Sequence, residues 1–284
     1  YYSISENNFC FSSEIKSLFP LMSVVSRQTV DAESISRYLS FLWCPGSGTP
    51  LKSVKKLPPG EAIIVKNGYI VDQWPWFQLP VFSQNQKQLN KEQSISGVRS
   101  HLRQAVHRQM VSDVPVGAFL SGGLDSSSIV AFAKEVAPDI RCFSIDTRGK
   151  NDNGFVDDLP YAKVAAKYLD VPLDIVTIDS HNMANDIEKM IYQLDEPLAD
   201  PAALNVLYIS QLARKQGIKV LLSGVGGDDL FTGYRRHYAL QLEKYWSWMP
   251  KSVRVSLESL TGHLDTSNHI KRRISKLFSG ADLS

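Results

Sequence analysis

The chain has 284 residues, of which 43% are apolar and 21% charged, a balance suited to a soluble globular protein of one large or two small domains. Thirty-one basic residues against 29 acidic ones leave a net charge of +2, so charge balance points to no nucleic-acid-binding surface. No apolar run approaches the ~20 residues needed to span a bilayer, and no membrane partner is expected. Tyr1 to Glu6 have neither a basic region nor an apolar core and do not read as a signal peptide. Cys10, Cys44 and Cys142 are odd in number, widely spaced and without zinc-site spacing. They suggest a reducing compartment, here read as cytoplasmic, and small buried hydrophobes rather than a disulfide framework. The chain opens on Tyr with no initiator Met, and Lys276 to Ser284 trail off after a basic stretch, so it reads as an excised piece of a longer protein.

In chain order, Phe9 to Leu18 pass from strand to short helix, with Ser12 or Ser13 as the cap. Ile35, Leu39 and Leu42 fall at helical spacing within Ala32 to Leu42. Leu57-Pro58-Pro59-Gly60 is a turn. Glu61 to Val65 and Tyr69 to Val71 are strands around Asn67-Gly68, a strong hairpin signal. Residues 1–80 form a first unit, and 81–93, rich in Gln, Asn and Lys, read as an exposed linker. From Ser94 the pattern changes. Val98, Leu102, Ala105, Val106 and Met110 share one helix face, and Arg99, Arg103, His107 and Arg108 another. That basic face is read as solvated, with contact to a nucleotide phosphate as the lesser option. Strand candidates at Val116–Leu120, Cys142–Ile145, Leu173–Ile178 and Val220–Leu222 then alternate with helix candidates at Ser127–Val136, Asp158–Leu169, Met183–Leu194 and Ala203–Lys215. This alternation predicts an α/β fold over 94–284, a parallel, doubly wound sheet with helices on both faces.

The most informative stretch is Ser121-Gly122-Gly123-Leu124-Asp125-Ser126-Ser127, set between a buried strand and a helix start. Paired glycines let the backbone approach a ligand, and a helix N-terminus offers free N–H groups to an anion. The serines add hydroxyl donors, and Asp125 supplies a carboxylate where a phosphate site would want Mg²⁺. No lysine stands in the loop, so it is not the common P-loop. An ordinary helix cap would need one Ser or Asp, not this whole set. A second loop, Ser223-Gly224-Val225-Gly226-Gly227-Asp228-Asp229-Leu230-Phe231, leaves the strand Val220–Leu222. In open α/β sheets ligands bind outside the carboxyl ends of the strands. The two loops could therefore share one site, with Asp125 and Asp228 around Mg²⁺; read alone, the second loop is as well explained by a glycine turn.

The first loop resembles the pyrophosphate loop of the N-type ATP pyrophosphatases. Paired with the second loop and its Thr232-Gly233-Tyr234, it resembles the glutamine-dependent asparagine synthetase family. Phe11 to Leu18, Leu57 to Gly60, Ser112 to Gly123 and Asp195 to Pro201 also look like family segments, so the resemblance covers the whole chain. It implies an adenine nucleotide alpha hydrolase-like sheet, preceded by the C-terminal part of an Ntn-type α+β glutaminase domain. The expected activity is ATP-dependent amide formation. Aspartate would be activated as an acyl adenylate with release of pyrophosphate, and ammonia, taken from glutamine, would displace AMP. The resemblance also implies site roles. Phe119 and Leu120 would line the adenine side, with Ile145 on the next strand. Ser121, Gly122, Gly123, Asp125, Ser126 and Ser127 would hold pyrophosphate and Mg²⁺. Ser223 and Gly224 would touch ribose or base, Asp228 would be the second Mg²⁺ ligand, and Tyr234 would lie near the aspartyl substrate. Asp125, Asp228 and Tyr234 are thus the catalytic set, ATP and Mg²⁺ the cofactors, and a homodimer is compatible with the resemblance.

Three departures qualify it. Residue 1 is Tyr, and Cys10 and Cys44 are internal, so this stretch is expected not to hydrolyse glutamine by itself. Val225 stands where well-studied members carry Glu. The family's catalytic Lys would fall beyond residue 284, and neither loop holds a basic residue; Arg235 and Arg236 are the nearest after the second. This stretch is therefore expected to bind nucleotide and turn over poorly. Two other readings stay open: a related amidotransferase or β-lactam-type synthetase with a different acceptor, and a non-catalytic nucleotide-binding module.

Overall fold

A computed structural model of the chain describes residues 1–5, 8–80, 89–148, 158–200 and 202–234, with single positions at 237, 253, 256 and 259. The chain divides into two compact units, 1–223 and 224–284.

The first unit begins with a three-stranded antiparallel sheet, β1 (Tyr2–Ser5), β2 (Asn8–Phe11) and β3 (Val54–Lys55), in the order β2-β1-β3. A 3-10 turn over Ile15–Leu21 packs Ile15 and Leu18 with Met22 and Val54 into a small core. Neither Ser12 nor Ser13 caps it. The cap position is Glu14, whose N–H donates to Ser12 Oγ at 3.3 Å, while the Ile15 N–H donates to Asp195 Oδ1 at 2.8 Å. Helices α1 (Val24–Gln28) and α2 (Ala32–Phe41) follow, the latter capped by Asp31. β4 (Glu61–Lys66) and β5 (Tyr69–Pro75) form the expected hairpin, with Asn67 and Gly68 both at positive φ. That pair of left-handed residues is what a type I′ turn requires.

α3 (Lys91–Gln109) starts earlier than the Ser94 expectation. Asn90 Oδ1 accepts from Gln93 N–H at 2.8 Å, and Gln93 Oε1 accepts from Asn90 N–H at 3.2 Å. This capping box satisfies two helix-end donors reciprocally. Leu102, Val106 and Met110 of α3 pack inward as expected, but Val98 and Ala105 are exposed. The opposite face is partly committed to structure. Arg103 Nε donates to Glu135 Oε1 at 3.1 Å, and His107 Nε2 lies 3.1 Å from Glu135 Oε2, at the C-terminal end of the next helix.

β6 (Val116–Phe119), α4 (Leu124–Lys134), β7 (Cys142–Arg148), α5 (Leu159–Leu169), β8 (Leu173–Asp179), α6 (Ser180–Gln193), α7 (Ala202–Lys215) and β9 (Val220–Leu222) then alternate. The four strands are parallel in the order β8-β7-β6-β9. Alternation along β6 and β7 serves two cores. Ala118, Leu120 and Cys142 pack with Val106, Val130, Ala133 and Ala166 of the helices on one face. Phe119, Phe143 and Ile145 pack with Ile209, Ala213 and Ile218 on the other. The sheet is thus covered on both faces, as a parallel sheet requires. Cys142 is fully buried, and burial pushes its thiol up to about 12; Cys44 is buried too and also raised, desolvation first. Both behave as the apolar fillers expected of them. Among the described residues, no helix is long and apolar enough to cross a membrane.

Candidate functional site

β6 sits between β7, which continues the series outward, and β9, which starts on its other side. The strand order reverses between β6 and β9. Such a switch point leaves a crevice at the carboxyl ends of the strands, where open α/β sheets take ligands. The first loop leaves β6 there. Ala118 pairs with Leu222, so Phe119 and Ser223 leave the sheet side by side. Phe119 pairs with Phe143, so Ile145 stands level with Ser121. Ser121, Ile145 and Ser223 therefore share one edge of the sheet.

The loop is built by its own serines. Ser126 is buried, and its hydroxyl donates to Gly123 O at 3.3 Å while accepting from Ser121 N–H at 3.2 Å. Ser121 Oγ lies 3.0 Å from Ser126 Oγ and accepts from Gly123 N–H at 3.3 Å. Ser126 thus shapes the loop. Gly122 has φ +80°, and a Cβ there would overlap the backbone of Tyr161 and Ala162 at the start of α5. The loop is therefore seated against a second helix start, a contact no local sequence signal announces.

Gly123 is the N-cap of α4 and makes no side-chain cap bond. The N–H groups of the first helical turn have no acceptor within the helix, which makes this end an anion site. Ser127 Oγ is buried and has no hydrogen-bond partner among the described residues. The half-buried Asp125 makes no hydrogen bond or ion pair there either, which leaves its oxygens free to ligate a cation. Free N–H donors and an orphaned hydroxyl together fit a polyphosphate. A free carboxylate beside them fits Mg²⁺.

Leu120 corrects one expectation. Its side chain is 1% exposed and packs in the core beneath α4, so only its backbone can face a ligand. Phe119 and Ile145 are partly buried against the opposite core.

The second loop forms α8 (Gly227–Leu230), in the second unit. Gly226 at φ +95° precedes it. The Gly233 N–H donates to Asp228 O at 2.9 Å, and a Cβ on Gly233 would overlap the Asp228 carboxylate, so the turn closes on that side chain. Val225 is 91% exposed, and Tyr234 meets His237 edge-on at 5.5 Å. Arg235 and Arg236 lie outside the described residues.

Comparison with known proteins accords with this arrangement. A family profile described as asparagine synthase matches residues 97–281, and one described as a glutamine amidotransferase domain matches 1–76. Asparagine synthetase [glutamine-hydrolyzing] 1 of Bacillus subtilis is 35% identical over 82% of this chain and 35% of its own length. Putative asparagine synthetase [glutamine-hydrolyzing] 2 of Methanocaldococcus jannaschii is 30% identical over 90% of this chain and 48% of its own. Amidase chyE of Penicillium rubens is 28% identical over 82% of this chain and 36% of its own. The chain thus spans between a third and a half of the length of these relatives. A serine- and glycine-built anion loop at the switch point of a parallel sheet, with a match across residues 97–281, places this chain in the asparagine synthase family.

Proposed function

We propose that the chain carries the nucleotide-using part of an ATP-dependent, amide-forming ligase of the asparagine synthase type. In this reading a side-chain carboxylate oxygen of aspartate attacks the α-phosphorus of ATP. A new O–P bond forms, the α–β anhydride breaks, and pyrophosphate leaves with the electron pair. Ammonia then adds to the acyl carbon, loses a proton, and AMP departs. The adenylate step is needed because a carboxylate has no adequate leaving group of its own.

The observation that carries the reading is the unfilled donor set at the start of α4, seated at the switch point. Its N–H groups would hold the β- and γ-phosphates, and Ser127 Oγ would add one donor. Bound Mg²⁺ would neutralise charge on the leaving pyrophosphate, with Asp125 as its ligand. Asp228 and Tyr234, which belong to the second unit, enter the proposal from their motif, as do Ser223 and Gly224. Residues 1–80 are proposed as the end of the glutamine-using domain and 94–284 as the synthetase domain, a division supported by the two family matches.

The test is product analysis on the intact protein with ATP, Mg²⁺, aspartate and ammonium. AMP and pyrophosphate should form, and Asp125→Asn should lower their rate roughly a hundredfold or more. The unfolding midpoint should not move, because the carboxylate makes no hydrogen bond or ion pair among the described residues. Formation of ADP and phosphate instead would overturn the reading.

A second acceptor is favoured by one observation, the exposed Val225 in place of an acid. A relative named as an amidase is consistent with acceptor variation. A screen of carboxylates scored by AMP formation separates the two readings.

A further inference from the structure

Residues 192–199, from the end of α6 into its connection to α7, hold the N-terminal region through a set of polar contacts. Glu196 is the centre. Its Oε1 accepts from the Tyr1 hydroxyl at 2.8 Å, and its Oε2 accepts from Lys56 Nζ at 2.8 Å. The Lys56 and Glu196 side chains are only 20% and 15% exposed. Lys56 Nζ also donates to the Cys44 carbonyl, at 2.6 Å, which fixes it from the N-terminal side. Asp195 accepts the Ile15 N–H at 2.8 Å, and Lys16 Nζ donates to the Tyr192 and Gln193 carbonyls at 2.9 and 3.2 Å. The Ala199 N–H donates to the Leu42 carbonyl at 2.9 Å.

Two properties set this junction apart from ordinary surface pairing. First, a largely desolvated carboxylate between an ammonium and a phenol is much less screened than a surface pair, so its geometry is held tightly. Second, apart from the bond of Lys56 to the Cys44 carbonyl, every contact joins segments about 140 to 195 positions apart. None of them stabilises an element locally; all of them fix how the N-terminal sheet sits against the α6–α7 connection.

We propose that Glu196, supported by Asp195, is a positioning residue that registers the glutamine-using region against the synthetase region, so that ammonia made by one is used by the other. This rests on the function proposed above. Glu196 touches neither nucleotide nor acceptor in that reading. It acts through Lys56 and Tyr1, and its loss disturbs transfer between regions rather than the chemistry in either.

The experiment uses the intact protein with Glu196→Gln and Lys56→Met. The glutamine variant keeps shape and one acceptor but loses the charge, and the methionine variant removes the cation from the other side. Product is measured with glutamine and, separately, with ammonium as nitrogen source, alongside glutamate release. The expected result is a fall of tenfold or more in glutamine-supported product, ammonium-supported product within twofold of wild type, and a raised ratio of glutamate to product. An equal fall with both nitrogen sources, or no change with either, overturns the proposal. If the wild type forms no product from ammonium, it is the ligase reading that has failed. Cleavage by protease between 80 and 90 then decides the positioning role: accelerated release of the N-terminal piece in both variants supports it, and wild-type cleavage rates overturn it.

Discussion

At Gly122 the backbone takes φ +80°, and the Cα faces the first turn of α5 closely enough that a methyl would overlap Tyr161 and Ala162. Its neighbour differs. Gly123 has φ −68°, and a Cβ there would meet only Ser121 Oγ, at 3.3 Å. In the sequence the two glycines are equivalent members of one motif; nothing local tells which of them is obligatory. The structure separates them, because one is constrained by conformation and by a helix 40 positions away, and the other by neither. Gly122→Ala should therefore destabilise the protein by roughly 1–3 kcal/mol, the usual range for a strained residue with a steric conflict. Gly123→Ala should cost less than about 1 kcal/mol. Urea unfolding of both variants checks this, and equal losses would mean that α5 does not seat the loop. Ser126 teaches the same lesson in reverse. Its motif suggests a ligand contact through the hydroxyl, yet that hydroxyl is engaged by Ser121 and Gly123, so it organises the donors of the first turn.

Elements were legible where they carried their own periodicity. The strands β6 to β9 lie within two residues of their expected starts, because short apolar runs between turn signals define them. α3 shows where this stops. Its first turn sits in a stretch rich in Gln, Asn and Lys that composition marks as linker, while the start signal is the spacing of Asn90 and Gln93. The helical stripe also overstates its own burial. Val98 and Ala105 share the spacing of Leu102 and Val106, but packing reaches only the C-terminal half of the helix, where α4 lies against it. Periodicity reports which face is apolar, not how far the neighbouring element extends. With little packing on its first half, α3 depends on its cap to start where it does. Asn90→Ala should cost about 1 kcal/mol, within the 0.5–2 kcal/mol seen for such caps, and should raise amide exchange over residues 91–97 while leaving 102–109 protected. Uniform exchange along the helix would show that the box does not control its start.

On the scale of the whole molecule, the alternation of strands and helices implied a parallel sheet, but not its order. The order β8-β7-β6-β9 uses the same strands that any other order would, and only the register of β6 with β9 puts the anion loop at a reversal point. The Asp195–Glu196 junction was also out of reach of the sequence, since its partners are Tyr1, Ile15 and Lys56. What long-range assembly creates at the switch point is an arrangement of donors that exists only when the sheet, α4 and the start of α5 are all in place. An unfolded chain offers no such set, so nucleotide should bind the folded state alone. Binding of that kind stabilises by mass action, about 2.7 kcal/mol at a free ligand concentration a hundred times the dissociation constant. At roughly 2–4 °C per kcal/mol for a domain of this size, Mg²⁺-ATP at that level should raise the unfolding midpoint by ~5–10 °C. Chelating Mg²⁺ should remove most of the rise, because the carboxylate of Asp125 would then face the phosphates uncompensated. Asp125→Asn should unfold at the wild-type midpoint without nucleotide, since Asp125 has no partner among the described residues. Its gain with Mg²⁺-ATP should be small, and its response to ATP under chelation should be no weaker than wild type's, the repulsion having been removed. Thermal unfolding of both proteins under the three conditions checks each step. A full wild-type rise in Asp125→Asn with Mg²⁺-ATP would take Asp125 out of the metal site and leave the N-terminus of α4 and the Ser127 hydroxyl as the sources of affinity in the loop.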